Sequence, residues 1–264
     1  MTNYLIDIGA NLAHDSFDDD RDEVLQRAAK AGVSRMIVTG SSDQSNRDAA
    51  GLAEANPGVL YATAGIHPHH ASDYGEDSAA LIRELAQDGR MVAVGECGLD
   101  YFRNFSPRDV QLAAFQSQLE IAADTDMPVF LHQRDAHDDF VDVLEPMLSK
   151  LSRAVAHCFT GEHESLREYL AMGLYVGVTG WICDERRGIH LQEIVSAVPD
   201  DRIMIETDAP YLLPRTIRPK PKKRRNEPMH LVEVLRVVAE ARGQSEAHVA
   251  KITTDNAERF FSLS

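Results

Sequence analysis

Cysteine is scarce in this sequence: Cys97, Cys158 and Cys183 are the only three among 264 residues, and they form neither an even set nor a Cys-x-x-Cys pair. That argues against a disulfide-stapled secreted scaffold and for a reducing compartment. Long hydrophobic runs are also missing, and none approaches the roughly 20 residues that cross a bilayer. Met1–Asp7 carries no basic residue and Asp7 breaks its apolar run, so no export signal is expected there. A cytoplasmic, membrane-free location is expected. Positive charge is in deficit, 27 Lys and Arg against 42 Asp and Glu, for a formal net charge of −15. That balance rules out bulk attraction to DNA or anionic membrane, although not a local basic patch. No Gly-x-Gly-x-x-Gly or P-loop motif opens a helix, which removes the usual sign of an open nucleotide-binding sheet.

The 44% of residues that are hydrophobic suffice for a full core. They fall in short runs that alternate with longer segments of helical spacing. Strands are predicted at Tyr4–Ile8, Arg35–Thr39, Leu60–Ala64, Met91–Gly95, Val129–Leu131, Ala154–Ala156, Leu174–Val178 and Arg202–Ile205. In Arg21–Gly32 the residues Val24, Leu25, Ala28 and Ala29 form one stripe, and Gly32 suits a stop. Pro107–Asp126 reads likewise through Leu112, Phe115, Leu119 and Ala122, and helices over Glu233–Arg242 and Ser245–Phe261 follow the last strand. Eight β-then-α units with such apolar strands predict an α/β fold, a parallel sheet covered by helices. The count of eight predicts a (β/α)8 TIM barrel, one domain over residues 1–264. The one compositional break is Pro214–Pro228, rich in Pro, Lys and Arg.

Asp7, His67, Glu96, His132, His157 and Asp208 each fall at or just past the C-terminal end of a predicted strand. In a barrel those ends share one face, which carries the active site. Any one of these residues alone reads as structural; six together read as a metal site. Glu96, His132, His157 and Asp208 offer two imidazoles and two carboxylates, a mixture suited to Mg²⁺, Mn²⁺ or Zn²⁺, with positions open for water and substrate. Cys97 and Cys158 follow two of these ligands directly and, because strand neighbours face opposite ways, are expected to be buried fillers.

Six motifs stand in order along the chain: Gly65-Ile66-His67-Pro68-His69, Gly95-Glu96-Cys97-Gly98-Leu99-Asp100, Leu131-His132-Gln133-Arg134, His157-Cys158-Phe159-Thr160-Gly161, Glu206-Thr207-Asp208-Ala209-Pro210 and Arg225-Asn226-Glu227-Pro228. In this the sequence resembles the TatD family of metal-dependent deoxyribonucleases over essentially its whole length. Thr179–Arg187 and Tyr211–Arg215 narrow the resemblance to one branch of that family. The resemblance implies a metallo-dependent hydrolase barrel that binds metal, usually Mg²⁺, through Glu96, His132 and His157, with Asp208 completing the site. It also implies 3′-to-5′ exonuclease action on single-stranded DNA and RNA, and a part in DNA repair or nucleic-acid turnover. One departure stands out. Family members commonly carry Asp-x-His-x-His on the first strand to hold a second metal, whereas this chain has Asp7-Ile8-Gly9-Ala10-Asn11.

Glu96 is expected to be essential for catalysis, and either Asp208 or His67 to take the proton from the attacking water. Arg134, two residues past His132, either contacts a phosphate or pairs with Asp135. Lys220, Lys222, Lys223, Arg224 and Arg225 form a basic run beside Asp208, read as phosphate contacts or as a solvated face. Tyr101, Phe102 and Phe105, with Arg103 among them, either stack splayed bases or pack onto the barrel rim. Trp181 closes a pocket wall or fills the core. His14, His69, His70, His137, His163, His190, His230 and His248 are explained by surface or helix positions. The rival readings are a small-molecule amidohydrolase or deaminase on the same barrel, and a non-catalytic protein-binding barrel. The chain is expected to be a monomer.

Overall fold

The structure, a computed structural model, describes residues 4–87, 89–221 and 224–263. Its strands are β1 (Leu5–Ala10), β2 (Val33–Val38), β3 (Leu60–Ala64), β4 (Ala93–Asp100), β5 (Val129–Arg134), β6 (Ala154–Ala156), β7 (Tyr175–Val178) and β8 (Ile203–Ile205). The α-helices among the described residues are α1 (Arg21–Lys30), α2 (Asp43–Ala55), α3 (Glu76–Gln87), α4 (Arg108–Thr125), α5 (His137–Leu144), α6 (His163–Ala171), α7 (Ile189–Ile194), α8 (Leu231–Arg242) and α9 (Glu246–Phe261). The strands follow one another in the order β1 to β8 in one sheet, the strand order of the (β/α)8 fold that the periodicity predicts. No helix among the described residues is long and apolar enough to cross a membrane.

The chain divides into two compact units, 1–37 with 158–170 and 175–264, and 38–157 with 171–174. In the first, all six residues of β1 are buried, and β7 runs parallel to β8 with Val176 opposite Ile203 and Val178 opposite Ile205. Beyond β8, Ala209 bridges Ala10, and Asp208 N–H donates to Gly9 O at 2.8 Å. Val234, Leu235 and Val238 of α8 and Val249, Ala257 and Phe260 of α9 are buried, the apolar stripes that give these helices their place.

In the second unit β3, β4, β5 and β6 are parallel neighbours. Helix α2 opens on a capping box in which the Ser42 and Ser45 side chains satisfy each other's backbone N–H groups. Phe115 of α4 and Phe140 of α5 stack at 5.4 Å in the core. Strand β4 departs from the prediction. It does not end at Gly95 but continues to Asp100, so Glu96 lies inside it. Gly95 and Gly98 are strand residues because β5 comes too close for a side chain. A Cβ would lie 2.2 Å from Phe130 O at the first and 1.9 Å from His132 O at the second. Between them the register slips: Val94 faces Val129 but Cys97 faces Leu131, so β4 has one residue more than β5. A bulge of this kind turns a side chain out of its regular alternation, and here that side chain is Glu96.

Candidate metal centre

Glu96, from the β4 bulge, is almost fully buried, and its Oε1 is the point on which three imidazoles converge. His132 Nδ1, from β5, lies 2.9 Å away; His157 Nε2, just past β6, 3.2 Å; and His67 Nε2, on the loop after β3, 3.4 Å. Burial alone would push the Glu96 carboxyl up, but the imidazoles of His67, His157 and His132 outweigh it and hold the group well below the usual carboxylate range. Burial depresses His67 to about 4, leaving that ring neutral near pH 7. Burial acts the same way on His132, yet the Asp100 and Glu96 carboxylates beside it raise its affinity for a proton.

The donor set fits a divalent ion. His132 Nδ1 and His157 Nε2 lie 2.9 and 3.2 Å from Glu96 Oε1, separations that bonds of roughly 2.0–2.2 Å to one ion meet with small side-chain movements. The two faces of His132 support the fit. Its Nδ1 points at Glu96, while its buried Nε2 has no hydrogen-bond partner among the described residues and faces Asp100 Oδ2 at 3.4 Å. A metal-bound imidazole characteristically gives its other N–H to a carboxylate. His67 is placed differently. Its Nδ1 accepts the His69 backbone N–H at 3.0 Å, which puts the ring proton on Nε2, facing Glu96. In that tautomer His67 is a donor to the carboxylate, without a free lone pair for either a metal or a proton.

Two functional neighbours escape sequence reasoning. Asp100, at the end of β4, is buried, and its Oδ2 lies 2.8 Å from His69 Nε2 as well as near His132. Burial opposes its charge, but His132, His69 and the Arg103 N–H hold its carboxyl far below the ordinary range. His69 stands on a 3-10 helix over Pro68–Asp73, a helix position as expected, but packs on His67 with ring centroids 4.2 Å apart.

Other sequence-predicted residues take varied places. Asp7 is not at a strand end. It lies inside β1, fully buried, and its carboxyl takes hydrogen bonds from Thr207 N–H, Thr207 Oγ1 and Gly9 N–H. Asp208 belongs to the first unit, where Asn11 Nδ2 donates to its Oδ1 at 3.0 Å. Arg134 makes no ion pair with Asp135; among the described residues its guanidinium has no carboxylate partner and lies 3.8 Å over the Phe102 ring. Tyr101 donates its hydroxyl to Asp139 at 2.6 Å, under the Arg108 guanidinium. Arg225 turns inward instead of toward a substrate: it donates to both Asp20 oxygens at 2.7 Å, to Glu227 at 2.9 Å and to Ser16 O. Its two terminal nitrogens are thereby held in the fold, while Nε is buried without a hydrogen bond among the described residues. Lys220 and Arg224 are exposed; Lys222 and Lys223 lie outside the described residues. Trp181 follows β7 in a 3-10 turn, with Arg187 stacked 4.4 Å over its ring. Cys97 is a buried filler as expected, its thiol pushed up by burial, whereas Cys158 is half-buried and Cys183 is pushed up to about 12.

A (β/α)8 fold with imidazoles and a carboxylate converging from its strands defines a hydrolase of the metal-dependent TIM-barrel class. Comparison narrows this further. The chain belongs to the TatD-related DNase family, whose pattern matches residues 6–262. It is 49% identical over 259 residues to the protein of Erwinia tasmaniensis named 3′-5′ ssDNA/RNA exonuclease TatD, covering 98% of this chain and 100% of that one. Among solved structures it is similar to YJJV, a TatD homologue from Escherichia coli K12, with a TM-score of 0.90, 28% identity and 100% of both chains covered. It shares its fold alone with the dihydroorotase of Campylobacter jejuni, at a TM-score of 0.59 and 14% identity over 98% of this chain and 83% of that one.

Proposed function

We propose that this chain is a metal-dependent exonuclease that removes nucleotides from the 3′ end of single-stranded DNA and RNA, acting as a cytoplasmic monomer. The observation that carries the reading is the meeting of the His132, His157 and His67 nitrogens at Glu96 Oε1. The polarity and the substrate rest on the name of the relative that is 49% identical over its full length. Glu96, His132 and His157 hold the ion, and Asp100 orients His132 through its second nitrogen. A divalent ion there supplies Lewis acidity toward the phosphoryl oxygen and a more acidic water. Mg²⁺ suits a site with few protein ligands and a phosphate substrate; Mn²⁺ and Zn²⁺ suit its imidazoles.

His67, a donor in its observed tautomer, steadies Glu96 through Nε2–H. This tautomer disfavours His67 as the proton acceptor; Asp208, the other expected acceptor, rests on the family resemblance alone. Arg134, without a carboxylate partner among the described residues, is the cation that meets the charge growing on the phosphoryl oxygens. Lys220 and Arg224 are exposed and offer further phosphate contacts. The test is metal titration with strands labelled at the 5′ end. A ladder shortening one nucleotide at a time from the 3′ end, dependent on added metal, is expected. Deamination or amide hydrolysis without strand shortening would instead favour the small-molecule reading.

A further inference from the structure

The sequence has nine phenylalanines, and seven of them (Phe17, Phe115, Phe130, Phe140, Phe159, Phe260 and Phe261) are buried. The other two stand together. Phe102 is 54% exposed and Phe105 67% exposed, both on the segment between β4, which carries Glu96, and α4. Each leaves half or more of its surface open to solvent. The segment that presents them is nonetheless tightly held. Asp100 Oδ1 accepts the Arg103 N–H at 2.7 Å, buried Ser106 donates to His69 O, and Gln111 Nε2 donates to Ser106 O at 2.8 Å. Two apolar rings fixed in water by buried polar contacts are preorganised for something that covers them.

Their neighbours say what. The Phe105 ring lies 4.8 Å from the His69 ring, which packs on His67 at the metal centre. The Phe102 ring carries the Arg134 guanidinium at 3.8 Å and that of Arg103 at 5.7 Å. Exposed aromatic rings beside arginines that have no carboxylate partner among the described residues suit one ligand class, a single strand whose bases stack while its phosphates meet arginine. A duplex end, with its bases already stacked, gains nothing from such rings. We infer that Phe102 and Phe105 form a stacking site for a nucleobase flanking the scissile phosphodiester, with Arg134, held on Phe102, meeting the adjoining phosphate. This rests on the nuclease reading above, and it makes the site select strands whose terminal bases are free.

The test separates the two. A DNA oligonucleotide with 2-aminopurine at its 3′-terminal or penultimate position is bound in chelator, where no cleavage occurs, and its fluorescence is followed; stacking quenches it. The wild-type protein should quench one of the two probes, and Phe105→Leu and Phe102→Leu should each lose the quenching and raise Kd roughly tenfold. Strands abasic at the quenched position should bind the wild type and Phe105→Leu equally. Unchanged quenching and Kd in both variants would overturn the stacking site, even if the strand is cut when metal is restored. A strand that stacks but is never cut with metal would uphold the stacking site and overturn the exonuclease reading.

Discussion

Asn11 donates its side-chain amide to Asp208 Oδ1 at 3.0 Å, just beyond the point where β1 bridges the segment after β8. The TatD resemblance leads one to expect first-strand imidazoles holding a second ion. Here a neutral donor binds the carboxylate that such an ion would bind. An amide donor partly satisfies the charge of Asp208 without any metal, and Gly9 offers no side chain at all.

The expected outcome is one firmly held ion per chain, bound through Glu96, His132 and His157, with any second ion weak and recruited by substrate phosphate. Metal analysis of exhaustively dialysed protein should return about one equivalent, and two tightly bound ions would refute the argument. The paired substitution Gly9→His and Asn11→His should raise occupancy of a second site and favour Zn²⁺ or Mn²⁺, once its fold is verified.

Glu96→Ala removes the anion on which three imidazoles converge. Metal binding and hydrolysis should both fall below detection while the circular dichroism spectrum is kept. Asp100→Asn tests the orienting carboxylate separately. Metal affinity should weaken about 10–100-fold, the usual consequence of removing such a partner. A calorimetric titration within twofold of wild type would remove Asp100 from the site.

Arg225 and Arg134 should part company. Arg225→Ala breaks the contacts with Asp20 and Glu227 and should lower stability by about 1–3 kcal/mol, read by urea unfolding, with little change in the salt dependence of strand binding. Arg134→Ala should leave stability near wild type and flatten the salt slope by about one phosphate contact. The opposite pattern would return Arg225 to the substrate.

The contrast between these two arginines shows what the sequence could reveal. Eight short apolar runs separated by helical stripes disclose the fold, because burial on both faces leaves an unambiguous pattern. Glu96, His132 and His157 were legible as ligand types, although Glu96 and His132 lie inside β4 and β5 and not at the predicted strand ends. The β4 bulge was not, since Gly95 and Gly98 read locally as a strand terminus and only the proximity of Phe130 O and His132 O explains them. Nor can a run of basic residues show which member turns inward, because the carboxylates of Asp20 and Glu227 that capture Arg225 become neighbours only in three dimensions. Asp100 and His69 were hidden for the same reason.

Asp7 gives the fold a pH dependence of its own. Burial raises its carboxyl from 3.8 to about 7, against the lowering effect of hydrogen bonds from Thr207 and Gly9. Between those values the folded chain keeps a proton that the unfolded chain has released. Stability from this group is therefore fully present below about pH 3.8, is lost as the pH rises, and levels off once Asp7 ionises in the folded state near pH 7. The total is on the order of 4 kcal/mol. Asp7→Asn keeps the shape and an oxygen to accept the Thr207 and Gly9 N–H groups but cannot ionise. Urea unfolding of both proteins from pH 4 to 8 should show the variant gaining on the wild type by up to that amount as the pH approaches 7, and no further above it. Parallel profiles would mean that Asp7 is already ionised in the folded protein at pH 4, held by Thr207 and Gly9 against its burial.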